Sequence, residues 1–125
     1  MKSLFLALCR QALPQSIARR LPRKVKVVEI EARESRLLNS RFLKKSMAAN
    51  VLSFRYGKEY GEILICPKII RREAKEQGNT YKYQMTWMVL HGMIHLAGVH
   101  HDRSKATAKT AARLEWRTLQ KLKVK

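Results

Sequence analysis

Apolar residues recur at helical spacing from residue 3 to residue 13, which predicts a first amphipathic helix that Pro14 ends, since proline cannot continue the hydrogen-bonded ladder. The basic stretch 19–24, broken by Pro22, reads as a connector, and the β-branched, partly alternating run 25–30 reads as a strand. Leu37, Leu38 and Phe42 lie at helical spacing within a helix predicted over 34–45. Residues 50–56 and 61–67 read as two short strands around a glycine-bounded turn. Residues 68–77 form a helix closed by Gly78, and 81–97 a longer, largely apolar helix that packing should hold rigid. A last helix runs toward the C-terminus. With no internal repeat, low-complexity tract or composition break, residues 1–125 read as a single domain.

Charge changes this picture most. Lys and Arg number 27 against 9 Asp and Glu, a formal net charge of +18, so a polyanion is the expected partner. Lys105, Lys109, Arg113, Arg117 and Lys121 recur every fourth residue and form one ridge on the last helix. Like charges at that spacing repel by about 0.2–0.5 kcal/mol per pair, a strain that a phosphate backbone would relieve and that folding alone would not select. A solvated basic face is the plainer alternative. Nucleic acid fits better than an anionic membrane, because no segment joins a basic face to a broad apolar one. No run reaches the roughly eighteen apolar residues of a membrane span, and the N-terminal apolar run is cut short by Arg10, unlike a secretion signal. Cys9 and Cys66 are too few for a disulfide framework and are expected to be buried, reduced thiols of a cytoplasmic protein.

The candidate chemistry is concentrated in one place. All four histidines fall in the window His91-Gly-Met-Ile-His95-Leu-Ala-Gly98-Val-His100-His101, and the chain's sole aspartate, Asp102, follows. His91 and His95, four apart on a helix, share a face, so two imidazoles can hold one metal ion. Gly98 can adopt the positive φ that ends a helix and lets the chain return, which brings His101 toward the same ion; His100 is an auxiliary candidate. Three neutral imidazoles with an open fourth position suit a catalytic zinc ion, one per chain, at the C-terminal end of a buried helix. The HxxxHxxGxxH spacing is shared with metzincin proteases, but Gly92 stands where those enzymes carry their glutamate base, which argues against a peptidase. Glu115, on the apolar face of the last helix, needs a partner; it could accept the second ring N–H of a ligand histidine or pair with an arginine.

The same window resembles the HGxLHLxGxDH signature of the YbeY family of bacterial endoribonucleases. Leu38-Asn39 followed by Phe42, Asn50-Val-Leu-Ser-Phe54 and Gly61-Glu62-Ile63 resemble, in order, further stretches of that family, over roughly residues 36–102. The resemblance implies an α+β fold with a small mixed β-sheet flanked by helices. It also implies one zinc ion held by His91, His95 and His101, and cleavage of single-stranded ribosomal RNA during maturation and quality control of the small ribosomal subunit. Three departures stand out. Leu43 occupies the position of a family arginine, with Arg41, Lys44 and Lys45 around it as possible substitutes. His100 replaces an aspartate. The early first helix and the short turn between the central strands suggest a sheet one strand smaller. Either a metal-activated water or the RNA 2′-hydroxyl could attack the phosphodiester. Glu62 is a candidate base or ligand-orienting group, Arg55 a candidate phosphate contact, and Asn50 and Ser53 are expected to bond backbone and shape the pocket floor. A metal-stabilised RNA-binding assembly factor that has lost turnover is the rival reading; neither reading needs a small-molecule cofactor or a membrane.

Overall fold

The computed structural model describes residues 2–43, 49–99 and 105–125. Helix α1 (Lys2–Ala12) ends just before Pro14, and Arg10 Nη2 donates to the Pro22 carbonyl at 2.9 Å, tying α1 to the connector. A single turn not foreseen from the sequence, α2 (Gln15–Ala18), follows because the Pro14 carbonyl accepts the N–H groups of Ile17 and Ala18, both at 2.9 Å. One turn is too short to leave a periodic signature. Strand β1 (Lys24–Glu29) leads into α3 (Ala32–Leu43), and strands β2 (Val51–Arg55) and β3 (Tyr60–Ile65) form a hairpin whose turn carries Gly57 at φ 93°. Helices α4 (Pro67–Gln77), α5 (Tyr81–Leu96) and α6 (Lys105–Leu122) complete the order.

The sheet runs β1-β3-β2, with β1 parallel and β2 antiparallel to β3, so the α+β class and the mixed sheet are as expected. Three strands make up the sheet among the described residues. Side chains alternate between its faces. Gly61, Ile63 and Ile65 of β3 are buried, and Gly61 and Ile63 lie against Leu96 and Gly92 of α5. Their partners Val25, Val27, Ser53 and Arg55 share that face by register. Lys26, Phe54 and Glu62 face the other way, where Phe42 of α3 meets Phe54 edge-on with ring centroids 5.7 Å apart.

Helix α5 is the centre of the molecule. Val89, Leu90, Met93 and Ile94 are at most 1% exposed, and the helix packs against α4, α6 and the sheet. A helix contacted on so many sides has to be apolar nearly all round, as its sequence is. Thr80 caps its N-terminus by accepting from the Tyr83 N–H at 3.1 Å. Cys9 and Cys66 are buried and free, and burial pushes the Cys9 thiol up to about 12. Neither thiol should react with a water-soluble disulfide reagent until the chain is denatured, when both should. A rapid native titration of one thiol would mean that α1 does not seal the core as described.

Candidate active site

Trp87, His91 and His95 succeed one another at four-residue spacing along one stripe of α5. The imidazoles of His91 and His95 lie one turn apart and tilted to each other, their centroids separated by 4.5 Å and their planes inclined by 43°. Glu115 reaches this stripe from α6 and is only 4% exposed. Its Oε1 accepts the Trp87 indole N–H at 2.7 Å, and its Oε2 lies 3.0 Å from His91 Nδ1. An ionised carboxylate can only accept, so Nδ1 of His91 carries the proton and Nε2 carries the lone pair. Metal-binding histidines commonly have this arrangement, in which a carboxylate fixes the tautomer and raises the basicity of the ligating nitrogen. Trp87 and His91 are thus both partners of Glu115 among the described residues.

The floor beneath the pair is set by close approach. A Cβ on Gly92 would lie 2.8 Å from Ile63 Cγ2 and 3.0 Å from Ser53 Oγ, so α5 can rest on the hairpin only because this position is glycine. Ser53 Oγ donates to the Gly92 carbonyl at 3.1 Å, the backbone bond expected of it. Beyond His95 the helix closes in a Schellman turn: Gly98 at φ 88° donates to the His95 carbonyl at 2.9 Å, and Val99 donates to that of Ile94 at 3.1 Å. The positive φ and helix end expected at Gly98 are therefore present. His100, His101 and Asp102 lie outside the described residues, as do Lys44 and Lys45. Among the described residues no group of three or more His, Cys, Asp or Glu side chains is arranged to hold a metal ion.

Other candidates fall elsewhere. Glu62 projects from the sheet face opposite α5, where its Oε2 accepts the Tyr60 hydroxyl at 2.9 Å, so it cannot act on a group held at the histidines. Hydrogen bonding to the Glu62 carboxylate holds the Tyr60 and Tyr56 phenols above their ordinary value. Arg55 is on the correct face, but three of its five guanidinium N–H donors point at main-chain carbonyls: Nε at Gly57 (2.9 Å) and Nη1 at Arg20 and Leu96 (2.6 Å each). It clamps the end of α5 to the connector, its charge lying at the negative pole of that helix. Asn50 bonds side chains and not backbone, donating to Glu73 Oε1 at 2.8 Å and Met88 Sδ at 3.1 Å. Arg41 lies over Phe42 on α3, across the sheet from the histidines. The ridge Lys105, Lys109, Arg113, Arg117 and Lys121 is exposed along α6, and its last three members line a groove against α1 and α2.

The family model described as Endoribonuclease YbeY matches residues 1–123. The chain belongs to the YbeY family. Among curated YbeY-family relatives, each named Endoribonuclease YbeY, one from Bdellovibrio bacteriovorus is 35% identical over 88 residues, 69% of this chain and 59% of the relative. One from Polynucleobacter asymbioticus is 38% identical over 97 residues, 74% of this chain and 62% of the relative. The chain thus spans about three fifths of the length of these relatives. The solution structure of a Thermotoga maritima protein superposes with a TM-score of 0.60 at 25% identity, covering 96% of this chain and 85% of that one.

Sequence reasoning missed Trp87, although its position one turn before His91 on the same stripe was a usable signal. It also treated residues 19–24 as a connector only. In the fold Arg19, Arg20 and Arg23 line a cleft of about 710 Å³ together with Lys58, Arg55 and His95.

Proposed function

We propose that this chain is a zinc-dependent endoribonuclease that cuts single-stranded RNA, acting in the cytoplasm on small-subunit ribosomal RNA during maturation and ribosome quality control. The observation that carries the reading is the buried Glu115 carboxylate 3.0 Å from Nδ1 of His91 beside His95, on a chain of the YbeY family. A structural role alone would not require a half-buried imidazole pair whose tautomer is set by a carboxylate.

The residues fit a metal ion by the chemistry of the donors. His91 and His95 would hold it, and His101 is the third ligand that the family motif implies. Bound there, zinc would supply a Lewis acid toward the phosphoryl oxygens and toward an attacking water. The chain's own groups do the rest. Glu115 keeps His91 in one tautomer and orientation, and Trp87 keeps Glu115 from turning away. Arg55 fixes the last turn of α5 and with it the position of His95. The net charge of +18 draws in the RNA and favours its retention at low salt.

The deciding assay incubates the purified chain with end-labelled single-stranded RNA, with and without a chelator and with zinc restored. Cleavage that stops on chelation and returns with zinc is the expected result. RNA that is bound but stays intact under every condition would leave an RNA-binding assembly factor, the reading that Leu43 in place of the family arginine favours.

A further inference from the structure

The cleft beside His95 is built from cations that come from separate parts of the chain. Arg19, Arg20 and Arg23 enter from the connector between α2 and β1, and Lys58 and Arg55 from the β2–β3 hairpin. Among the described residues the lining includes no Asp or Glu. Arg23 approaches Glu59 at 3.5 Å, but those side chains are 83% and 74% exposed, a contact that a stronger anion can displace. Arg19, Arg20 and Lys58 have no carboxylate partner among the described residues.

This convergence is held in place. Arg55 Nη1 donates to the carbonyls of both Arg20 and Leu96 at 2.6 Å, which pins the connector to the end of α5. A Cβ on Gly98 would lie 3.2 Å from Arg20 Nη2, so the Arg20 guanidinium rests directly on the turn that follows His95. Apart from Arg55, which holds main chain, and Arg23, which meets the exposed Glu59, these cations gathered around one cleft repel each other without a carboxylate partner among the described residues, so their arrangement points to an anionic ligand. A cleft of about 710 Å³ with this many cations is too large and too charged for one phosphate.

We infer that the cleft lined by Arg19, Arg20, Arg23 and Lys58 binds the backbone phosphates of the nucleotides that flank the reacting phosphodiester, and so sets the path of the RNA strand away from His95. The inference rests on the proposed function for the identity of the polyanion and deepens it. Arg55 has a positioning role here, since its donors already serve the main chain. Arginine forks suit phosphate oxygens, and binding through the backbone predicts little preference for base sequence.

The test compares two double variants of the full chain that lose equal charge. Arg19→Gln with Lys58→Gln removes two exposed cations of the cleft, whereas Lys68→Gln with Lys75→Gln removes two exposed cations of α4. Affinity is measured over a range of salt for a short single-stranded RNA made uncleavable by 2′-O-methyl and phosphorothioate groups. The cleft pair should weaken binding about tenfold and lower the slope of log affinity against log salt by about 1.4, from roughly 0.7 per phosphate contact of a single strand. The α4 pair should change affinity by less than about twofold, with the slope unchanged. Equal losses in both pairs, or no loss in the cleft pair, would overturn the inference. Failure of the proposed function is separable: a chain that binds through the cleft but never cuts natural RNA removes that reading and leaves the cleft assigned. A chain that cuts normally while the cleft pair binds and cuts as the wild type does the reverse.

Discussion

Glu115→Gln should bind zinc about 10- to 100-fold more weakly than the unaltered chain while remaining folded. The Glu115 carboxylate accepts two N–H donors, from Trp87 at 2.7 Å and from His91 at 3.0 Å. A glutamine of the same shape offers one acceptor oxygen and one NH2 group. Whichever way its amide turns, either Trp87 or His91 then faces another donor, unless His91 moves its proton to Nε2. That move takes the lone pair from the nitrogen through which His91 would hold a metal. The stability cost is that of one poorly satisfied buried polar group, about 1–3 kcal/mol, against a loss of metal affinity that the rest of the fold cannot restore. Competition with a chromophoric chelator reads the affinity, and a thermal melt reads the fold. Unchanged zinc binding alongside a lowered melting temperature would reduce Glu115 to a packing residue.

Gly92→Ala should destabilise the chain although alanine is the better helix former. The change gains about 1 kcal/mol of helix propensity. Against it stands a methyl group 2.8 Å from Ile63 Cγ2 and 3.0 Å from Ser53 Oγ, in a contact that joins α5 to both strands of the hairpin. Overpacking of this kind costs about 1–3 kcal/mol, so the steric term wins and the melting temperature should fall by several degrees. Gly92→Glu, which would install the base of the metzincin pattern, places a charged side chain in the same buried contact and should not give a native fold. The lack of that base is therefore a consequence of how α5 lies on the sheet. A Gly92→Ala melt at or above that of the unaltered chain would show that the helix can lift off the hairpin freely, and that this packing does not position the histidines.

Much of this was legible in the sequence, for definite reasons. Periodicity located α5, and Gly78 and Gly98 closed α4 and α5 in the left-handed conformation that only glycine adopts readily. Spacing alone puts His91 and His95 on one face, and the neighbouring rings have that arrangement; the place of Glu115 on an apolar face calls for a partner, a histidine or an arginine, and the structure sets it against His91. Glu62 was a candidate through its closeness to the motif, whereas strand alternation, with Gly61, Ile63 and Ile65 on the buried face, already set it on the face away from α5. Arg55 was read as a phosphate ligand because its acceptors, the Arg20 and Leu96 carbonyls, are brought to it by tertiary structure. The basic cleft was hidden for the same reason: Arg19–Arg23, Lys58 and His95 are far apart in sequence and meet only once β1 pairs with β3 and α5 crosses the hairpin.

One measurement decides whether the histidine pair of α5 is the centre that cuts RNA. The most direct measurement prepares the chain and His95→Ala in parallel, determines bound zinc per chain and the melting temperature of each, and follows cleavage of the same end-labelled single-stranded RNA. His95 is only half-buried, so the variant should fold. The predicted result is zinc retention and cleavage by the unaltered chain, with both lost in a folded His95→Ala. Cleavage by His95→Ala at the rate of the unaltered chain would contradict the account and place the activity outside this site.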